Sequence, residues 1–509
     1  MSRSFDTVVV GGGADGLVAA IGLARTGSKV LLLEAGAELG GTLREIEFAP
    51  GFRAAPLAAD AGYLAPEWVR VTGLSALAEE IPPSASIVAL GEGEPLLLHR
   101  DIARTAQGLQ RTSPKDAERW PAFARQVSQL AGFLAELYRV PPPRIDATTL
   151  GEFLTLANLG RKFRALGKAD MIELMRSLPM SAADWLDDWF ESAPLKGVLA
   201  ALAVADVPRG PMSGGTAFTF LHRHVGAKLG VFGERLRLRV GPMALVAALT
   251  ERARATGVVI ETNTAVERAI VRNDRIGGVR LRSGEEVTCR HVVSSLDPTR
   301  SLFELLDPAY LEVEFIQAVR HIRYRGVTTR ILLALDGLPA GPVSLSGGLI
   351  VAPSIRYVEQ AYDAIKYGRC SDEPIIELRF PSVTQPNLAP AGKHVATMHV
   401  QFTPYGSKEL IADRAIALVE RYLPGFASCI RERVVLTPRD LEAEFGLREG
   451  AISQGEMMLD QILFMRPVAG WSHYSMPIPG FYLCGAGTHP GAGITGMSGW
   501  LAAKAVRRS

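Results

Sequence analysis

An α/β fold is what this 509-residue sequence predicts: a parallel-sheet nucleotide-binding domain interleaved with a mixed-sheet substrate domain and a helical cap. Three observations predict it. A strand, a glycine turn and a helix open the chain, helical periodicity fills the stretch from Asp101 to about Val207, and a strand, a second glycine loop and a helix come near the end.

Thr7 to Glu34 reads TVVVGGGADGLVAAIGLARTGSKVLLLE, an apolar strand, a turn, a helix and a second strand closed by an acid. Gly11 permits the tight turn, Gly13 lets backbone reach a pyrophosphate, and Gly16 lets helix and strand pack closely. Ala14 and Asp15 start the helix, whose free N–H groups and positive macrodipole end favour an anion. Glu34, followed by Ala35, stands where a ribose hydroxyl needs an acceptor. This is a Rossmann-like dinucleotide site. The acid runs on to Gly40, Gly41 and Thr42, and a glycine pair so placed resembles the FAD pattern of two-dinucleotide-binding-domain flavoproteins. FAD is therefore expected in preference to NAD.

The middle of the chain reads as helices in AERWPAFARQVSQLAGFLAELY, GEFLTLANLGRKFRAL and SAADWLDDWFESAPLKGVLAALAV, with Ser181 and Asp184 spaced as a capping box. Alternation then returns. A helix over Met243–Thr256 and a strand over Val258–Glu261 lead into a β-meander turning at Asn273–Asp274 and Ser283–Gly284. VTTRILLAL and KHVATMHVQF read as strands and KELIADRAIALVERYL as a helix of a substrate domain. The expected division assigns 1–75, 215–300 and 471–509 to the cofactor domain and 76–214 and 301–470 to the substrate domain with its cap.

Composition narrows the function. Lys+Arg 55 against Asp+Glu 53 gives a net charge of +2, which offers a nucleic-acid partner no overall electrostatic support. Cys289, Cys370, Cys429 and Cys484 form no CxxC pair and read as buried free thiols in a reducing compartment. A first strand at Thr7 leaves no space for a secretory signal, and the best apolar run, Gly197 to Ala205, is too short to cross a bilayer. A cytoplasmic location is expected, with peripheral membrane attachment left open.

Near the end, Gly485, Gly487, Gly491, Gly493 and Gly496 crowd the approach to a helix, so backbone comes close to something flat or anionic. With FAD bound at the first loop, this is the isoalloxazine end, and backbone N–H groups around Gly496 and Met497 would meet the pyrimidine oxygen. CGAGTHPGAGITG, GGGADGLVAA with Glu34 and Gly40–Gly41, SAADWLDDWFES and QGEMMLDQILFMRP together resemble the phytoene desaturase-like flavoproteins. The likeness is strongest to their branch called pyridine nucleotide-disulfide oxidoreductase domain-containing protein 2. It implies that the Thr488–Met497 loop carries FAD with the first loop, and that Val266 holds adenine through its backbone. The disulfide chemistry in the branch name has no cysteine pair here. Three departures stand out: RVGPM at Arg239–Met243 in place of a glycine-rich turn, Thr488 where related amine oxidases place a Glu, and Gln454 where the branch often has a histidine.

Flavin chemistry asks the protein mainly to bind, orient and exclude water, so few catalytic side chains are expected. Trp471 and Tyr474 sit where amine oxidases place an aromatic wall, though ordinary interdomain packing is the favoured reading for them, and Gln454 and His489 are further pocket candidates. Trp185, Trp189 and Phe190 read as core or as a tunnel lip. His222 and His224 lack partners for a metal, and none is expected. His321, Arg323 and Arg325 alternate as on one strand face, favouring solvated surface. The expected activity is FAD-dependent removal of hydride from a largely apolar substrate, forming C=C or C=N, with oxygen or a quinone as acceptor. A flavin amine oxidase and a non-catalytic flavin-bearing regulatory protein are the alternatives.

Overall fold

The computed structural model describes residues 3–58, 62–75, 86–91, 93–142, 150–226, 232, 241–340, 344–406 and 410–508. A five-stranded, all-parallel sheet runs in the order Phe481–Leu483, His291–Ser294, Thr7–Val10, Val30–Leu33, Val259–Glu261. Its strands are short apolar runs because both faces are covered. Val9, Leu32 and Val293 pack under the first helix, Ala14–Ala24, while Val8, Leu31 and Val292 face the meander side.

The meander appears as read: Val266–Arg272, Arg275–Leu281 and Glu286–Thr288 pair antiparallel, with Asn273 and Asp274 at φ 52° and 58° in the first turn and Gly284 in the second. Such left-handed backbone suits Asn, Asp and Gly. The helix expected over Met243–Thr256 spans Pro242–Ala255. Arg239 and Val240 of the RVGPM turn lie outside the described residues.

The second sheet has seven strands in the order Ile430–Leu436, Thr328–Leu335, His394–Gln401, Ile376–Arg379, Gly348–Val351, Ser86–Leu90, Leu96–His99. All neighbours are antiparallel except Gly348–Val351 with Ser86–Leu90. Period-two alternation sorts its residues. Ile331, Leu333, Met398, Val400, Ile376 and Leu378 pack on the helix Ile411–Tyr422. Their neighbours Thr328, Arg330, His399, Gln401, Glu377 and Arg379 point the other way, into a cavity.

Helices Pro114–Tyr138, Ala182–Trp189, Ala193–Ala203 and Thr216–Arg223 roof that cavity side. They close on an aromatic core of Trp120, Phe123, Trp185, Phe190, Phe220 and Phe232, with Trp189 edge-on to Phe123 at 5.5 Å. The tryptophan pair is core, not a tunnel lip. Ser181 caps the Asp184 N–H, but the Asp184 carboxylate accepts from the Ser181 hydroxyl at 2.6 Å rather than from backbone. Among the described residues no helix is long and apolar enough to cross a membrane.

Two expectations are corrected. HIRYRGV is not a strand: His321 ends the helix Val313–Arg320 and strand begins only at Thr328. Arg323 and Arg325 instead converge with Arg209 on the buried Glu456 carboxylate, at 2.9, 3.8 and 3.1 Å. Of the four free cysteines, Cys289 and Cys484 are buried while Cys370 and Cys429 are partly exposed.

Candidate functional site

Each glycine of the opening turn meets a different steric demand. Gly11 has φ +97°, and a Cβ on Gly16 would lie 2.1 Å from the Gly11 carbonyl oxygen, so both positions exclude larger residues. Gly13 differs: its Cβ would meet nothing within 4 Å. Gly13 is also the N-cap of the first helix and supplies no side-chain cap. Open space in front of uncapped N–H groups is what a pyrophosphate needs, so these residues fit a dinucleotide. Gly40 donates to the Gly12 carbonyl at 3.0 Å, and a Cβ on Gly41 would sit 3.4 Å from Gly13 Cα. The glycine pair thus borders the same space, with Thr42 next along on the cavity wall.

Glu34 ends the second parallel strand. Its carboxylate accepts from Gly12 N–H at 2.7 Å and from Gly36 N–H at 2.8 Å, with Ala35 between them in sequence, so the acid braces the turn it follows. Its carbonyl accepts from Thr264 N–H at 2.8 Å, which brings the start of the meander and Val266 to this end of the sheet.

Asp15, in the first turn of the first helix, is turned toward the last helix, Met497–Val506. Its carboxylate accepts from Gly499 N–H at 3.3 Å, and burial pushes it up to about 7, opposed by backbone N–H groups of Gly499 and Gly496. The start of the last helix is therefore capped from within the chain by Asp15. From the last loop it is Ala492, Gly493 and Thr495 that line the cavity, rather than Gly496 and Met497.

The remaining candidates hold the loops. Thr488 is 1% exposed and spends its hydroxyl on the Gly485 carbonyl at 2.9 Å and on Ser498. Gln454 bridges two segments, donating to Ser295 O at 3.2 Å and accepting from Gly487 N–H at 2.9 Å. A Cβ on Gly485 would lie 2.4 Å from Ser295 O, which explains the glycine. Behind them Arg466, buried and lowered by that burial to about 10, donates to the carbonyls of Ala486, Glu456, Gln461 and Ser453.

Packing, the favoured reading for the two aromatics, describes where they lie. Trp471 stacks edge-on to Phe315 at 5.2 Å in the core behind the parallel sheet, and Tyr474 is wholly buried with its hydroxyl on His489 O at 2.9 Å. The His489 ring is enclosed and pushed by burial down to about 3; the Leu137 and Val140 carbonyls oppose this, yet neither ring nitrogen reaches hydrogen-bond geometry. It is a neutral packing group. None of these four lines the cavity.

Apart from Thr42, His222, His224 and the last glycine loop, what lines it was not singled out from sequence. A cavity of about 280 Å³ extends from Thr42, Leu43 and the Ala492–Thr495 loop to the polar face of the seven-stranded sheet. Arg330, His399 and Glu377 stand opposite one another on adjacent strands, forming a ladder across the floor. Arg330 is 1% exposed and binds Asp206 at 2.6 Å. Arg379 and Arg223 share Glu377, at 2.5 and 3.9 Å. His399 is held well below the usual histidine range by burial and by the charges of Arg330 and Arg223. His222 reaches the cavity wall with Tyr138 on Nδ1 and the Ala492 carbonyl on Nε2, both at 2.8 Å, and His224 bonds Phe220 O at 2.7 Å. Among the described residues no His, Cys, Asp and Glu group is arranged to hold a metal. The available signal was an arginine inside TTRILLAL, an otherwise apolar buried strand.

The sequence matches the flavin containing amine oxidoreductase family over residues 106–507, and an NAD(P)-binding Rossmann-like domain over residues 9–62. It is 33% identical to pyridine nucleotide-disulfide oxidoreductase domain-containing protein 2 of Rattus norvegicus, over all of this chain and 94% of that one. It is 25% identical to the lycopene-forming phytoene desaturase of Pantoea ananas, over 97% of this chain and 96% of that one. The structure resembles putrescine oxidase bound to putrescine with a TM-score of 0.62 at 14% identity, covering 100% and 99% of the two chains. The chain belongs to the flavin containing amine oxidoreductases and is an FAD-dependent oxidoreductase of the amine oxidase and phytoene desaturase superfamily.

Proposed function

We propose that this protein removes a hydride from a C–H bond of an organic substrate held in the 280 Å³ cavity, forming C=C or C=N, with electrons passing on to oxygen or a quinone. One observation carries the reading: the cavity joins the edge of the dinucleotide strip at Thr42 and Leu43 and the Ala492–Thr495 loop to the sheet floor. FAD, when bound, supplies the hydride acceptor.

The chain's own residues bind, orient and keep water out. Leu202, Ile350, Ile452 and Met457 give the cavity apolar walls, and its volume lies at the small end of ligand cavities. His222, tied to Tyr138 and Ala492, fixes the loop that forms one wall. The floor departs from the largely apolar surroundings expected from sequence, because Arg330, His399 and Glu377 cross it in a row. It also speaks against a cationic amine, since Asp206 and Glu377 already hold arginines.

The test is anaerobic: protein reconstituted with FAD is mixed with alkanoates, alcohols, alkenes and amines while flavin absorbance is followed. Bleaching by a non-amine class supports the reading. Bleaching by amines alone would replace it with an amine oxidase, and protein that stays colourless after reconstitution would end it.

A further inference from the structure

We propose that the cavity takes substrates with an uncharged hydroxyl at the end on the sheet floor, Asp206 accepting its hydrogen and His399 donating to its oxygen. This rests on the oxidoreductase reading above and names the substrate class, a neutral hydroxyl compound with an apolar body. The hydroxyl is a handle. The C–H bond that loses hydride lies along the body, nearer Thr42 and the Ala492–Thr495 loop.

Asp206 supplies the acceptor. It lines the cavity with 38% of its side chain open, and its Oδ1 accepts from Arg330 Nη2 at 2.6 Å. Burial works to raise the carboxyl, yet the charge of Arg330 and the nearby Thr328 hydroxyl hold it below the usual range, so it stays ionised. Thr328 gives its own hydrogen to Gln401 Oε1 at 2.9 Å. No protein donor reaches Asp206 Oδ2 among the described residues. An accessible carboxylate oxygen in a partly desolvated space is a strong acceptor, and an O–H of the ligand restores what water supplied.

The backbone fixes where that acceptor stands. Asp206 has left-handed backbone at φ 61°, uncommon for a residue with a side chain and often kept where a site needs it. Gln401 holds the conformation: its Oε1 accepts from Asp206 N–H at 3.0 Å while its Nε2 donates to the Val204 and Val207 carbonyls at 2.7 and 3.1 Å. The turn after the helix Ala193–Ala203 is thus pinned to the sheet. Arg330, itself enclosed, is a positioning residue that steadies the carboxylate from behind and touches no ligand. A site prepared in this way gives up little freedom on binding.

His399 supplies the donor. It is half-buried, lines the same cavity, stands across the strand pair from Arg330 and makes no hydrogen bond among the described residues. Burial, with the charges of Arg330 and Arg223, holds it well below the usual histidine range, so the ring is neutral and carries one N–H. A hydroxyl is the small uncharged group that donates and accepts at once. A carboxylate brings Asp206 no hydrogen and is repelled by it. An ammonium adds a cation where the Asp206 charge is already matched by Arg330 at 2.6 Å. An ether accepts and cannot donate.

The experiment uses the FAD-loaded full chain and four probes of similar size: 1-hexanol, its isomer dipropyl ether, hexanoate and hexylamine. Calorimetry is expected to show hexanol binding about ten-fold or more tighter than each of the other three. Asp206→Asn turns its carbonyl to Arg330 and its NH₂ to the cavity, so the hexanol advantage over the ether is expected to vanish and hexanoate to bind more tightly. His399→Phe breaks no ion pair and leaves a measurement if the Asp206 variant fails to fold; hexanol is expected to weaken several-fold and dipropyl ether to stay unchanged. Dipropyl ether binding as tightly as hexanol, hexanoate or hexylamine binding more tightly, or the same preferences in the folded variants overturns the handle. If flavin is present and a compound without a hydroxyl bleaches it while hexanol does not bind, the oxidoreductase reading stands and this inference alone falls. Protein that takes up no flavin removes both.

Discussion

Gly499 and Asp15, 484 positions apart, are in backbone contact: a Cβ on Gly499 would lie 1.9 Å from the Asp15 carbonyl oxygen, and the Gly499 N–H donates to the Asp15 carboxylate at 3.3 Å. The first and last helices cross at this point because one of them carries no side chain there. The contact leaves a partly buried carboxyl at the junction of two helix starts.

That carboxyl makes stability pH-dependent. Its ordinary value is 3.8 and burial raises it to about 7. Below 4 both folded and unfolded states hold the proton; between 4 and 7 the unfolded chain loses it first, so the folded state loses stability as pH rises, with no further change above 7. Asp15→Asn keeps an acceptor for Gly499 and removes the titration. Relative to wild type, its thermal midpoint is expected to be higher by about 2–4 °C at about pH 8 and similar at about pH 4. A midpoint difference that does not change between the two conditions refutes the assignment.

Gly13→Val is expected to fold and lose the cofactor. Its Cβ enters open space, so no protein atom has to move, yet the branched side chain fills the place left for the pyrophosphate. Circular dichroism should match wild type while bound FAD falls about ten-fold or more. Full FAD content in the folded variant would mean that the phosphates lie elsewhere.

Gln454→Ala tests the clasp between Ser295 and Gly487. It strands Gly487 N–H and Ser295 O, at an expected cost of about 1–3 kcal/mol. Because Gln454 does not line the 280 Å³ cavity, rapid reduction of bound flavin by a good substrate should change little while FAD dissociates faster. A large loss in the reduction rate with FAD retention intact would place this residue at the chemistry instead.

Arg466→Met removes a buried cation whose donors reach four carbonyls on the Ser453–Gln461 segment and at Ala486. Leaving those carbonyls unpaired is expected to cost roughly 3–5 kcal/mol, read as a lowered unfolding midpoint and increased proteolysis within residues 453–461. Unchanged proteolysis would show that the segment holds its shape without the arginine.

Local rules made part of this legible. Thr7–Val10, the glycine turn and Glu34 follow from demands met within about thirty residues, and the Asn273 and Gly284 turns from backbone chemistry at single positions. The site's far side depends on which strands become neighbours. Arg330, His399 and Glu377 come from three strands separated by tens of residues, and only sheet register sets them in a row. Trp471 packs on Phe315 and Tyr474 bonds the His489 carbonyl, in keeping with the packing that sequence favoured for them. Thr488 and Gln454 spend their polar atoms on Gly485, Ser498, Ser295 and Gly487, partners that only the folded chain brings to Gln454.

The order of strands in the parallel sheet carries a cost in time. Phe481–Leu483 lies beside His291–Ser294, which lies beside Thr7–Val10, so the Thr7–Val10 strand waits while more than 450 residues are added for the last of its sheet. Until then the Gly485 and Gly499 contacts cannot form, and apolar strand edges stay exposed. Assembly of the nucleotide site thus waits until residues 481–499 have been made, and chaperone dependence or truncation before them should show itself first as missing colour rather than missing helix.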